Sequence, residues 1–338
     1  MSKQSRFEMA GRESRLHILA VRLGAMGDII HTLPAVTWLK LAHPDCHVTW
    51  LVEPKWAPLL EANPFVDRVL FLHRESLAGL FQSWRALSEI RCDYAVDFQG
   101  LLKSALAASA AHPGRLYGFD PAQIRERSAA ILYSHRILAR SAHMVDRNLE
   151  LAAALPAGAA QPAGVVSFPL PLGSPEGDLP SGDFVLASPL AGWASKQWPL
   201  DHYRALAARL LAECGIRLVL NGPPGAPFHH VEPALAHYSS LAGLIHATRR
   251  AAAVVGVDSG PLHLAAALSK PGVAIFGPTD PARNGPYGNS LEVLRSPSAG
   301  TTYKRGAAID ASMQLIRPDQ VFDILKATLN RVAGFARA

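Results

Sequence analysis

The chain reads as an α/β protein built in two halves, each a parallel sheet with helices on both faces. Three observations predict this. Short apolar, strand-like runs alternate with amphipathic, helix-like stretches along most of the length. A stretch rich in Pro, Gly and Ala breaks that alternation once, near the middle. With 338 residues and 49% hydrophobic content, the chain is long enough to bury two cores.

The elements follow in order. Residues 18–23, apolar but for Arg22, are expected to form a strand that ends in the turn Gly24-Ala25-Met26-Gly27, and a helix is expected from Asp28 with its amphipathic part over 33–42. Further strands are expected at 47–52, 68–72 and 94–97, with a helix over 77–90. Residues 155–183 carry Pro156, Pro162, Pro169, Pro171, Pro175 and Pro180, a linker composition. The second half repeats the plan, with strands at 184–188, 217–220, 253–257 and 272–276 and a helix over 202–214. This divides the chain into a loose tail over 1–15, a first domain over 16–165 and a linker over 166–183. A second domain follows over 184–317, then a closing helix over 318–338 with the first domain as its candidate packing surface.

Bulk properties bound the function. The formal charge of +6 fits an anionic ligand, an acidic membrane face or nucleic acid without selecting among them. From Lys103 to Arg147 seven basic residues stand against Asp120, Glu126 and Asp146. Cys46, Cys92 and Cys214 lie far apart and form neither a zinc motif nor a disulfide framework, so a reducing compartment is expected. The adjacent His229 and His230 lack partners at ligand-like spacing, and no metal is expected. Trp38, Trp193 and Trp198 read as core or lining aromatics rather than stacking platforms, so no nucleic-acid partner is expected. No run of 18 apolar residues occurs, which leaves a cytoplasmic protein with at most peripheral membrane contact as the expectation.

Four loops carry chemistry. The turn after the first strand ends in Asp28, where an acid can act as a base on a substrate or cap the helix that follows. The stretch Ser188 to Pro199 holds Gly192, which frees the backbone, and Lys196, which supplies positive charge for a phosphate. In Val257-Asp258-Ser259-Gly260-Pro261-Leu262-His263, a strand ends at Asp258 and a small-residue turn opens a helix. Ser259 and Gly260 leave amides free for a pyrophosphate, and His263 lies on the first turn. In Gly277-Pro278-Thr279-Asp280-Pro281, Thr279 and Asp280 can bond sugar hydroxyls, although an Asp in such a turn also serves turn geometry.

These motifs, in this order, resemble those of the ADP-heptose:lipopolysaccharide heptosyltransferases of glycosyltransferase family nine. The resemblance runs from about Ile18 to Leu329. It is carried by Met26-Gly27-Asp28 with His31-Thr32-Leu33-Pro34, by Lys196-Gln197-Trp198-Pro199, and by the two turns at 258–263 and 277–281. Asp97-Phe98-Gln99-Gly100-Leu101-Leu102-Lys103-Ser104-Ala105 is similar to the version found in the heptosyltransferase I branch. The resemblance implies a GT-B fold: two Rossmann-like domains with parallel sheets facing a central cleft. It implies inverting transfer of heptose from ADP-heptose to the Kdo-lipid A inner core of lipopolysaccharide. It places the protein at the cytoplasmic face of the inner membrane, held peripherally. Asp28 then corresponds to the general base, Lys196 to the donor-phosphate lysine, Asp258 to the sugar contact, and the turn through His263 to the diphosphate site. Gly192, Thr279 and Asp280 join the donor side. No cofactor is implied, because a lysine and helix amides can carry the charge that a metal would.

The chain also departs from the family pattern. The dense basic run expected after the fourth strand is reduced to His73, Arg74 and Arg85. Ala191 and Gly192 stand where hydroxyl residues line the phosphate loop, leaving only backbone donors there. No acid follows Asn221-Gly222 before Glu232 to hold a ribose. The acceptor-side Arg-Glu-Pro appears as Arg125-Glu126-Arg127, so Lys103, Arg115, Arg125 and Arg127, with Gln99, are expected to serve an anionic lipid-linked acceptor. A related transferase with another nucleotide sugar or acceptor is the alternative. A nicotinamide oxidoreductase would need a G-x-G-x-x-G turn, which 24–28 does not supply. A purely nucleotide-binding protein would have no use for both Asp28 and Lys196.

Overall fold

The computed structural model describes residues 15–156, 166–228, 231–302 and 306–336. The expected tail, except Arg15, and the pair His229 and His230 lie outside them. The chain separates into two units. In the first, β1 (His17–Val21) leads to α1 (Met26–Ala42), then β2 (His47–Val52), β3 (Arg68–Phe71) and α2 (Leu77–Ser88). β4 (Tyr94–Asp97), α3 (Leu102–Ala110), β5 (Arg115–Phe119), β6 (His135–Ile137) and α4 (Met144–Ala153) complete it. The strands form one sheet in the order β3-β2-β1-β4-β5-β6, and every pairing is parallel. β1 lies between two neighbours, and its residues Ile18 to Val21 are fully buried, as a strand covered on both faces requires.

The second unit repeats the topology. β7 (Phe184–Ser188), α5 (Leu200–Arg209), β8 (Arg217–Gly222), β9 (Leu235–Tyr238), α6 (Leu241–Arg250) and β10 (Ala253–Val257) come first. α7 (Gly260–Ala267), β11 (Gly272–Phe276), α8 (Pro281–Asn284), β12 (Leu291–Arg295), α9 (Ala311–Leu315) and α10 (Pro318–Ala336) follow. The parallel sheet runs β12-β11-β10-β7-β8-β9. In each sheet the third and fourth strands of this order are the first and fourth along the unit's chain. Strand order therefore reverses there, and the carboxyl ends of those two strands are where an open α/β sheet takes ligands.

Three expectations change. α1 begins at Met26, not Asp28, and runs without a break through Pro34 to Ala42. The closing helix α10 packs against α5, β10 and β11, with Val321, Phe322, Leu325 and Leu329 in the second core. Its apolar face is thus built into the second core, and the helix belongs to the second unit. The Pro-rich joint is not free either. Arg249 donates to the carbonyls of Leu170 and Pro171, and Glu176 accepts from the Ser240 amide and hydroxyl, so residues from Leu170 onward are tied to α6.

Candidate functional site

In the second unit, Gly256 pairs with Ser188, so β10 and β7 end side by side at the switch point. Their following loops deliver Asp258 and Lys196. Lys196 Nζ lies 2.6 Å from Asp258 Oδ2 and 4.4 Å from the Trp193 ring centroid. His263, one turn into α7, puts Nε2 3.7 Å from Asp258 Oδ1. All three groups are largely buried. Burial alone would raise the Asp258 pKa; the facing His263 ring and the Lys196 ammonium outweigh it and hold the carboxyl well below the usual carboxylate range. The pair is therefore a fixed charge couple at the end of the sheet.

Around it lie buried hydroxyls with no hydrogen-bond partner: Ser259 Oγ at the N-cap of α7, Thr279 Oγ1 after β11, and Ser195 Oγ beside Lys196. His263 Nδ1 is likewise buried and unpartnered. Buried polar atoms are nearly always satisfied in folded proteins, so such a group fits a polar ligand. Ser195 also corrects the expectation that this loop offers only backbone donors. Gly192 is exposed, and a side chain there would meet nothing within 4 Å, so a ligand can approach its backbone. Asp280 caps the short helix α8, accepting from the Ala282 amide at 2.9 Å. One of its oxygens is therefore committed to the turn.

By their contacts, residues Ala25–His31 and Ala142–Met144 group with this second unit. A methyl group on Gly27 would run into the His263 imidazole, and one on Gly260 would meet the Met26 side chain at 2.7 Å. The His31 and His263 rings stand 4.3 Å apart in an edge-to-face arrangement. The glycines at 27 and 260 thus let the start of α1 and the start of α7 meet closely. Asp28, partly exposed on that first turn, accepts from the Ala25 amide at 3.2 Å. It thereby caps α1 from inside the first turn.

The first unit carries two polar groupings. Asp97, fully buried at the end of β4, accepts from the Tyr133 and Ser104 hydroxyls at 2.7 and 2.8 Å and from the Gln99 amide at 2.9 Å. Burial raises its pKa against these bonds. Gln99 Oε1 in turn accepts from the Leu23 amide at 2.8 Å, tying the loop after β4 to the loop after β1. The second grouping surrounds Glu53, buried just past β2. Arg74 pairs with it closely, Lys55 lies at 3.5 Å and Lys103 at 3.9 Å. Burial, then the neighbouring Arg74 charge, lowers the Lys103 pKa.

The structure thus brings Lys196, Asp258, Ser259, Gly260 and His263 together. It sets Lys103 beside Arg74, a remnant of the basic run, and beside Glu53 and Lys55, which the motifs did not mark. Arg125 and Arg127 are exposed on a loop whose Glu126 accepts from the Leu102 amide at 2.7 Å, so they flank the start of α3 near Lys103. Arg115 does not join them. It opens β5 opposite Tyr94, at the amino end of the sheet, whereas Asp97 and Gly118 mark the carboxyl end about 10 Å away. Among the described residues no cluster of three or more His, Cys, Asp or Glu is arranged to hold a metal ion, and no helix is long and apolar enough to cross a membrane.

Comparison with known proteins agrees with this fold. Residues 80–309 match the family model for glycosyltransferase family 9 (heptosyltransferase). The chain is 31% identical to lipopolysaccharide heptosyltransferase 1 of Escherichia coli K12 over 311 residues, covering 83% of this chain and 94% of that one. It is also 31% identical to the enzyme of that name from Pseudomonas aeruginosa, over 83% of this chain and 84% of that one. Among solved structures, the E. coli heptosyltransferase WaaC with ADP superposes with a TM-score of 0.75 at 28% identity, over 93% of this chain and all of that one. The architecture is therefore the GT-B fold, and the chain belongs to glycosyltransferase family 9, the heptosyltransferase family.

Proposed function

We propose that this glycosyltransferase moves heptose from ADP-heptose to the Kdo-lipid A inner core of lipopolysaccharide, with inversion at the anomeric carbon. The observation that carries the reading is the Lys196–Asp258–His263 constellation at the switch point of the second sheet, ringed by buried hydroxyls that lack partners. The likeness to WaaC, solved with ADP and with ADP-2-deoxy-2-fluoro heptose, supports the donor class.

In this reading the diphosphate lies against Lys196 and the amino end of α7, where an ammonium and a helix N-terminus favour negative charge. Asp258 faces the sugar and fixes the lysine. Gly192, Ser259, Gly260, Thr279 and Asp280 serve the donor. The acceptor hydroxyl attacks the anomeric carbon, and its proton passes to the Asp28 carboxylate. The bond from that carbon to the phosphate oxygen breaks, and ADP leaves with the electron pair. Positive charge on the leaving diphosphate and a base on the hydroxyl are the two requirements of such a displacement. Lys103, Arg74, Arg125 and Arg127 meet the acidic groups of a lipid-linked acceptor; Arg115, at the amino end of its sheet, is left out. Work on such an acceptor belongs at the cytoplasmic face of the inner membrane, with the protein held there peripherally.

The test is to incubate purified protein and Kdo-lipid A with ADP-heptose or with UDP- and GDP-sugars, and to measure released nucleotide. The reading expects release of ADP alone, dependent on acceptor. Release of UDP or GDP at equal rate would replace it with the related-transferase alternative.

A further inference from the structure

We propose that the face formed by α2, α3 and the turn Arg127–Ile131 seats on an anionic lipid bilayer. α2 is an amphipathic helix, but it leaves its apolar ridge in water. Leu77, Leu80, Phe81 and Trp84, spaced i, i+3, i+4 and i+7, are 85%, 42%, 71% and 52% exposed. Its buried residues are Ser83 and Leu87 alone. A surface helix normally turns such a stripe toward the core. α3 packs beside α2, and the turn Arg127–Ile131 packs beside α3. They add Leu106 and Ile131 to the exposed surface. Seven of the fifteen large apolar side chains left exposed among the described residues sit on these three packed elements, so the surface is concentrated rather than scattered.

Charge selects the occupant. Residues 68–140 hold ten Lys or Arg against six Asp or Glu, which supplies +4 of the chain's +6. Exposed Arg85, which pairs with Glu89, and Arg127 lie on the same elements as the apolar ridge, and exposed Arg125 stands just before the turn. Leu, Phe and Trp on one face with arginines around them suit the headgroup and acyl boundary of a membrane bearing anionic lipid. A second copy of this chain would instead set two basic rims against each other, which like-charge repulsion disfavours. The inference rests on the proposed lipid-linked acceptor for its purpose, but not for its measurement.

The experiment is flotation of the full chain with vesicles, without nucleotide sugar or acceptor. One set contains phosphatidylethanolamine and phosphatidylglycerol, the other phosphatidylcholine alone. The protein is expected to float with the anionic set and several-fold less with the neutral one. The double substitution Phe81→Ser/Trp84→Ser is expected to lower that partition at least tenfold. Ile131→Ser, on a separate element, is expected to lower it several-fold. Both variants should keep the wild-type unfolding midpoint and full transfer to a deacylated, water-soluble acceptor. Failure of the wild type to float, or flotation of both variants like the wild type, would overturn the proposal. So would a wild-type dimer in sedimentation that the same substitutions dissociate, which would make the face an interface between copies. Vesicle binding without any transfer from ADP-heptose would leave this proposal standing and remove the functional one.

Discussion

Lys196→Ala separates a structural lysine from a ligand-binding one. The substitution removes an ammonium 2.6 Å from Asp258 Oδ2, whose side chain is only 7% exposed. Stranding a buried charge costs about 3–5 kcal/mol, and the 17% exposure of the lysine side chain points to the lower end. At about 2–4 °C per kcal/mol for a unit of this size, the unfolding midpoint should fall by roughly 6–12 °C. The double variant Lys196→Ala/Asp258→Asn removes the stranded charge and should recover most of that loss. ADP affinity should behave differently. A charged contact to phosphate contributes about 1.5–3 kcal/mol, so binding should weaken roughly 10- to 100-fold in the single variant and stay weak in the double. Calorimetric unfolding and titration with ADP, which carries no sugar for Asp258 to hold, read the two quantities apart. If the double variant regained affinity together with stability, the lysine would be a counterion and nothing more.

Further outcomes follow from the same geometry. The depressed Asp258 pKa contributes stability that is complete above the unfolded value near 3.9 and lost as pH falls below it. Asp258→Asn should therefore flatten the acid limb of denaturant stability below about pH 4, and an unchanged limb would contradict the pairing. Asp97→Ala leaves the Tyr133 hydroxyl and the Gln99 amide without their acceptor, while Ser104 keeps the Leu101 carbonyl; at about 1–3 kcal/mol for each orphaned donor, chemical denaturation should show a loss of at least ~2 kcal/mol. Arg125→Ala and Arg127→Ala should raise the acceptor KM far more than the donor KM, with the effect shrinking at high salt. Steady-state kinetics with each substrate varied in turn would expose equal effects on both, which would put these arginines on a solvated surface.

The central strands were legible because each is an apolar run buried on both faces, as β1, β7, β10 and β11 are. β5, β6, β9 and β12 were not. β6, β9 and β12 are short or half-exposed, and Gly118 interrupts the β-forming residues of the buried β5. The start of α1 was misjudged because Asp28 looks like an N-cap but caps from inside the first turn, accepting from Ala25. The donor-side residues could be named from their motifs, but their pairing could not. Lys196 and Asp258 stand 62 positions apart, and only the register of β7 against β10 brings them together. Arg74 and Lys103 stand out in the sequence as basic residues, but nothing there joins them to Glu53 and Lys55, because they come from separate segments. Arg115 sits apart from Lys103 because a charge count along the chain does not say which end of a strand a residue occupies.

The central claim is that Asp28 removes the proton from the acceptor hydroxyl. Asp28→Asn tests it most directly, because asparagine still accepts the Ala25 hydrogen bond and keeps the cap on α1. The measurement is the transfer rate from ADP-heptose to Kdo-lipid A at saturating substrates, with donor affinity taken in parallel. The account predicts a fall of roughly 10²–10⁴ in rate with ADP-heptose affinity within a few fold of wild type. Near-normal turnover would contradict it and leave Asp28 as a helix cap.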